Sequence, residues 1–229
     1  YAMSWIVLLA TLSALGPLSI DMYLSALPAM AADFGVSTQM VSNSLPAYFF
    51  GLAIGQLIYG PISDRIGRKP PLYFGLCLYI VASLLCVFAQ DEWSLIAARI
   101  LQALGGCVGV VMAHAAIRDR LDMHSAAQAF ASMMIVTAIA PIIAPSLGAW
   151  VLMFYEWNVI FLVLMGCGLL SLACVHFLFK ETLEPERRLK LNFQQVLSLY
   201  RTIFQDPSFR RPLYAGCFSG AVMFCYISA

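Results

Sequence analysis

Long apolar runs alternate with short polar joints along the chain, and that alternation predicts its elements. A helix needs about 20 apolar residues to cross the ~30 Å hydrocarbon core of a bilayer. Six runs meet or nearly meet that length: Trp5 to Leu27, Val41 to Gly60, Pro71 to Ala89, Leu95 to Ala116, Ala126 to Phe154 and Val159 to Phe179. A seventh begins at Pro212. Between the sixth and seventh, Phe193, Val196, Leu197, Tyr200 and Phe204 recur at helical spacing among Gln, Ser and Arg201, which predicts an amphipathic helix lying on the membrane or on the helix ends. The organisation predicted is all-α and integral to the membrane. Residues 1–179 form a six-helix bundle, 180–211 an inter-half linker, and 212–229 the start of a seventh helix. Ala29-Met30-Ala31 has the look of a signal-peptidase site, but the run before it is too long for a signal core and carries Asp21. No repeat relating the first three runs to the next three is readable in the residues.

Composition agrees: 62% of residues are hydrophobic and 11% charged, against about a quarter charged in soluble domains. The charges are segregated. Every Lys and Arg except Arg99 falls in one of three stretches: Arg65 to Lys69, Arg118 and Arg120, or Lys180 to Arg211. The intervening joints carry only acids (Asp33, Asp91, Glu92 and Glu156). Because Lys and Arg favour the cytoplasmic side, the N-terminus and the linker are expected there and the odd-numbered joints outside. Trp93, Tyr155 and Trp157, at the ends of runs, are expected to anchor at the interface. The positive charge thus serves membrane orientation and gives no sign of a nucleic-acid partner. Seven cysteines lie in apolar runs without metal-site spacing and read as small packing residues. The chain lacks an initial Met and stops within an apolar run, so a longer chain is expected.

Two formal charges fall well inside the runs: Asp21 and Arg99. Such residues are costly in lipid and face a cavity or a partner. Asp21 lies about 9 Å below the outer end of its run and Arg99 about 6 Å below the same face, at 1.5 Å per residue. Gln102 shares a helix face with Arg99. His114 returns to within about 60° of that face and is a candidate for the inner part of the cavity, although a surface position fits equally. His124 and His176 carry no signal. No nucleophile and base, or cluster of metal ligands, lies at depth, so an intramembrane enzyme is not expected and no cofactor is called for. Gly51, Gly55 and Gly60 stand at spacing for close helix contact.

The joint Gly60-Pro61-Ile62-Ser63-Asp64-Arg65-Ile66-Gly67-Arg68-Lys69 turns the chain between antiparallel spans. Its pattern resembles the loop between helices 2 and 3 of major facilitator transporters, with Gly60, Asp64, Arg65, Gly67, Arg68 and Lys69 at the motif positions. Arg99-Ile100-Leu101-Gln102 resembles a motif of proton-coupled members, with Ala103 where Gly usually follows. Pro141, Pro145 and Gly148 resemble the helix-5 motif of drug antiporters, with Ala144 in place of Gly and Gly148-Ala149 in place of a glycine pair. Ser19 to Pro28, Ile139 to Pro145 and Lys180 to Arg188 narrow the resemblance to the bicyclomycin-resistance (Bcr/CflA) branch, in which Pro usually stands at the place of Ser25.

That resemblance implies the major facilitator fold, here the N-terminal six-helix bundle plus the start of helix 7, in a bacterial inner membrane. It implies a monomer that exports small antibiotics against inward proton flow, by rocking against the C-terminal half of the same chain. Drug and proton would compete at Asp21, since related exporters carry a second acid where Ser13 stands here. The Asp64 to Lys69 loop would hold one state by pairing with the other half. A proton-coupled metabolite or sugar transporter of the same fold is the alternative.

Overall fold

The structure is a computed structural model that describes residues 3–189 and 193–228. Its regular elements among those residues are all helical, in two compact units divided after Arg188. In the first unit, α1 (Met3–Leu24) stops short of Pro28, which lacks an N–H and sits in the opening turn of α2 (Leu27–Phe34). Gly35, at φ 66°, closes α2 by donating to Ala31 and Ala32, and Ser37 caps the short α3 (Thr38–Ser42). There follow α4 (Ser44–Ile66), α5 (Lys69–Val87), α6 (Glu92–Arg120), α7 (Met123–Leu152) and α8 (Asn158–Leu178). Counted among the described residues, six helices are long and apolar enough to cross a membrane.

The six expected runs are these six helices, with corrected ends. The first run breaks before Leu27, and α4 continues through Gly60 and Pro61, so the joint to α5 is only Gly67 and Arg68. α6 starts at a capping box formed by Asp91 and Ser94, and α7 at the cap of Asp122. These extensions are polar because apolar length measures the membrane, whereas caps measure the helix.

α6 packs against α4, α5 and α1; α1 packs against α7, α6 and α8; and α5 packs against α8. Exchanging α1, α4 and α5 for α6, α7 and α8 leaves this set of neighbours unchanged, so the repeat that residues conceal is present in the packing. Close approach needs glycine. A Cβ on Gly51 would lie 2.6 Å from the carbonyl oxygen of Ile100 on α6, and one on Gly148 would meet that of Met22 on α1. Gly60 differs: nothing lies within 4 Å of where its Cβ would be, so it makes no close contact within the bundle. Trp93 and Tyr155 are exposed as expected of interface anchors. Trp157 is buried instead, its indole N–H donating to Asp33 at 3.0 Å while its ring meets Phe34 edge-on. Cys86 and Cys107 are buried, whereas Cys77 faces outward. The side chain of Cys225 lies outside the described residues.

The linker expected over 180–211 is divided. Its first part, to Arg188, belongs to the first unit, and Thr182 and Leu183 are buried there. The second unit holds α9 (Phe193–Gln205), which is the amphipathic helix, and α10 (Pro207–Ser228), joined at Asp206. α10 therefore begins before Pro212, with the Asp206 carboxylate accepting the Ser208 N–H at 2.8 Å. Residues 190–192 and 229 of the expected linker and seventh helix lie outside the described residues.

Gly51 and Gly60 make opposite predictions. Gly51→Ala forces α4 off α6 and should lower stability by about 1–3 kcal/mol, read as a drop of about 5 °C in thermal midpoint in detergent. Gly60→Ala should leave the midpoint unchanged or slightly raised, since a helical alanine is favoured over glycine by about 0.5–1 kcal/mol.

Candidate functional site

The capping box at Asp91 sets the register of α6 and carries Arg99 into the centre of the bundle, where it is fully buried. Its Nη1 donates to the Ser19 carbonyl at 3.0 Å and to Gln102 Oε1 at 2.6 Å. Gln102 donates onward to Ser83 at 2.8 Å, and Ser83 to the Tyr79 carbonyl at 2.8 Å. The Tyr79 hydroxyl meets the Ser19 hydroxyl at 2.7 Å, which closes a polar ring across α1, α5 and α6. The guanidinium lies over three aromatic rings, 4.2 Å from the centre of Tyr48, 4.5 Å from Tyr23 and 5.9 Å from Phe161. The Tyr23 hydroxyl is itself anchored to Ser44 and to the Val41 carbonyl. Nε and Nη2 of Arg99 have no hydrogen-bond partner among the described residues. Arg99 and Gln102 were expected to face a cavity; the structure encloses both in packed side chains.

Asp21 and Arg99 do sit at one depth, since Arg99 reaches a carbonyl two residues from Asp21. They form no ion pair. Asp21 is half-buried on the more open side of α1, where Val7 and Thr11 are exposed. Just beyond it, the Ser25 hydroxyl donates to the Pro145 carbonyl at 3.1 Å and ties the end of α1 to the proline pair of α7. Pro141 is exposed, Pro145 half-buried, and Gly148 lies against the backbone of α1. His114 is exposed on a groove of about 600 Å³ between α1, α6 and α7.

At the basic end, Arg68 is the centre of a second network. Its guanidinium holds both carboxylate oxygens of Asp119 (2.8 and 3.2 Å), Asp64 at 2.6 Å and the Ser63 hydroxyl at 2.7 Å. Burial opposes its charge, but the bonds to Asp119 and Asp64 outweigh that and raise its pKa further. Arg68 is therefore spent inside the bundle; of the loop expected to pair with the other half, Arg65 remains exposed and Asp64 partly so. Glu181 accepts the backbone N–H groups of Arg68, Lys69, Thr182 and Leu183 at 2.9–3.1 Å, so the start of α5 is capped from the far end of the sequence. Gly67, at φ 103°, makes the turn directly beneath it, and an added Cβ would stand 2.6 Å from a Glu181 oxygen. Lys69 lies 5.8 Å from the ring centre of Tyr73. Sequence reasoning missed Asp119 and the roles of Glu181 and of the three caging rings, two of which were visible only as tyrosines at 23 and 48 inside apolar runs.

Residues 9–229 match the model of the Major Facilitator Superfamily. The chain is 37% identical over 223 residues to the MFS-type transporter YdgK of Bacillus subtilis, covering 96% of the chain and 56% of that protein. It is 29% identical over 225 residues to a bicyclomycin resistance protein homolog of Haemophilus influenzae, covering 98% and 56%. It is 36% identical over 166 residues to multidrug resistance protein MdtL of Escherichia coli, covering 72% and 42%. The chain thus spans about half the length of the curated relatives it matches. Among solved structures it is similar to a human organic anion transporter, MFSD10 (TM-score 0.71, 15% identity, 87% of the chain and 54% of that protein). It also resembles a D-xylose–proton symporter (TM-score 0.69, 13% identity, 88% and 53%). At those identities the structural likeness establishes the fold.

Glu181 supplies a pH test. Burial raises its pKa, but its four backbone donors outweigh burial and hold it below the ordinary value. A carboxyl lowered in the folded state contributes stability above its unfolded pKa, and that stability is lost as pH falls through the folded pKa. Glu181→Gln should therefore cost about 1 kcal/mol near neutral pH, discounted for partial exposure. In thermal unfolding followed from neutral to acidic pH, the gap between variant and wild type should close once Glu181 is protonated.

Proposed function

The chain belongs to the Major Facilitator Superfamily, and from that premise we propose that it is part of a proton-coupled exporter of small drug-like molecules. The observation that carries this reading is Asp21, a carboxylate inside a membrane helix that pairs with no cation among the described residues. A carboxylate at that depth persists where it faces a cavity and exchanges a proton. Were Asp21 locked to Arg99, it would be fixed in the charged form; because Arg99 is satisfied by carbonyl, amide and aromatic groups, Asp21 keeps its proton chemistry. The relatives named for bicyclomycin and multidrug resistance support export of such compounds.

The proposed setting is a bacterial inner membrane, with the basic end and the N-terminus toward the cytoplasm as the Lys and Arg bias indicates. The working protein is a monomer in which this six-helix body rocks against a second one around a central cavity. Arg65 and the outer side of Asp64 remain available to that second body, whereas Arg68 does not. No cofactor is involved beyond the proton. The alternative of the same fold, uptake of a metabolite with protons, differs in the direction of coupling.

The test is drug-driven proton release in inverted vesicles carrying the full-length protein. Chloramphenicol- or bicyclomycin-like compounds should release protons with wild type and, at reduced rate, with Asp21→Glu, but not with Asp21→Asn. Undiminished exchange by Asp21→Asn would place the coupling elsewhere. A proton flux in the same direction as substrate would favour the symporter.

A further inference from the structure

The groove beside His114 has a chemistry that the transport reading leaves unassigned. Its lining includes His114 and Arg118 from α6, Phe130, Met133 and Met134 from α7, and the buried Ser13 hydroxyl of α1. One wall is aromatic and thioether: Phe130 stands edge-on to His114 with ring centres 5.2 Å apart, and Met134 is exposed. The other wall carries charge of one sign. No Asp or Glu lines the groove. The acids at this end of the bundle are occupied, Asp119 by both sides of the Arg68 guanidinium and Asp122 by the cap of α7. Arg120, two residues along, turns away to donate to the Glu181 carbonyl at 2.8 Å. Arg118 is left exposed, one helical turn from His114, with no carboxylate partner among the described residues.

We propose that this groove binds drug-sized aromatic anions, such as arene carboxylates, with Arg118 holding the anionic group while Phe130 and the two methionines hold the ring. This deepens, and rests on, the reading of the protein as an exporter of small molecules. A guanidinium offers paired donors that match a planar carboxylate, and a thioether and aromatic floor takes flat rings of varied shape. A volume of about 600 Å³ accommodates a ligand of two fused rings. A cationic amphiphile is excluded by the same charges that attract the anion. The open side of α1 bearing Asp21 lies about 12 Å farther along the helix from Ser13, so the two charged places are separate.

The experiment measures binding to the full-length protein in uncharged detergent at fixed neutral pH and low salt. The probes are 2-naphthoate, 2-naphthamide and 2-naphthylmethylammonium, one ring system carrying negative, zero and positive charge. Wild type should bind naphthoate about tenfold more tightly than the amide and the ammonium compound more weakly still. Arg118→Gln should bring naphthoate down to the affinity of the amide without altering the amide, and Arg118→Lys should restore most of the preference. Should both Arg118 variants misfold, Met134→Asp, which sets an acid in the open wall, should abolish the naphthoate preference alone. Equal affinity for the three probes in wild type, no binding, or a preference that survives Arg118→Gln would overturn the proposal. Added phosphatidylglycerol should leave naphthoate binding unchanged; its displacement by the lipid would give the groove to a headgroup and overturn the solute reading. Asp21→Asn separates this inference from the transport reading. It should keep the naphthoate preference while losing proton exchange, and loss of the preference in that variant would count against a separate site.

Discussion

A guanidinium buried at membrane depth with no carboxylate beside it is the constraint around which the first unit closes. Stripping a cation of water costs several kcal/mol even after relaxation, and breaking up whatever replaces that water costs about 3–5 kcal/mol. For Arg99 the replacement is distributed. α1 supplies the Ser19 carbonyl and the Tyr23 ring, α4 the Tyr48 ring, and α8 the Phe161 ring. α6 itself supplies Gln102, which is held in turn by Ser83 of α5. A desolvated cation–aromatic contact is worth about 2 kcal/mol or more, and here the contacts come from three different helices, so the charge is compensated by the bundle and not by one neighbour. α4 and α5 deliver their groups as neighbours of α6, and α8 delivers its ring as a neighbour of α1.

The same arrangement divides the charges of the bundle into those that are spent and those that are free. Arg99 is spent on neutral acceptors and rings, and Arg68 on Asp64, Asp119 and Ser63. Glu181 is spent on four backbone donors, two at the start of α5 and two in the segment that follows it. These groups fix helix ends and helix centres and move with the bundle as one piece. Asp21, His114, Arg118 and Arg65 lie instead on partly or fully open faces. A body that rocks as a unit needs this division, because charges locked inside keep it rigid while charges on open faces meet substrate, proton or the opposing body.

The number and order of membrane helices were legible in the sequence because about 20 apolar residues is a requirement of the bilayer and not of any particular packing. The helix ends were less so, since α4 continues through Gly60 and Pro61 to a last turn whose polar side chains hold Arg68. Reading Gly60 to Lys69 as one turn confused the end of the apolar stretch with the end of the helix. The depth of Arg99 relative to Asp21 followed from a rise of 1.5 Å per residue, and the structure has Arg99 reaching Ser19. Which way Arg99 points did not follow. That depends on rings from α1, α4 and α8, residues distant in sequence whose tyrosines look in isolation like ordinary apolar filling. Asp119 and Glu181 were invisible for the same reason: each acts on Arg68 or its neighbours from more than fifty residues away.

The placement of the free charges also bears on how a proton and a substrate would exchange. Direct competition requires both to claim the same carboxylate. On α1, however, Asp21 is about 12 Å along the axis from Ser13, where the cationic groove lies, and the two positions are about 80° apart around the helix. A ligand held through Arg118 would not touch Asp21. Arg99, which lies at the depth of Asp21, is enclosed and cannot carry charge between the two places by moving alone. On the proposed reading, coupling between such sites would pass through the body that joins them, a proton on Asp21 and a ligand in the groove each biasing which way the bundle faces.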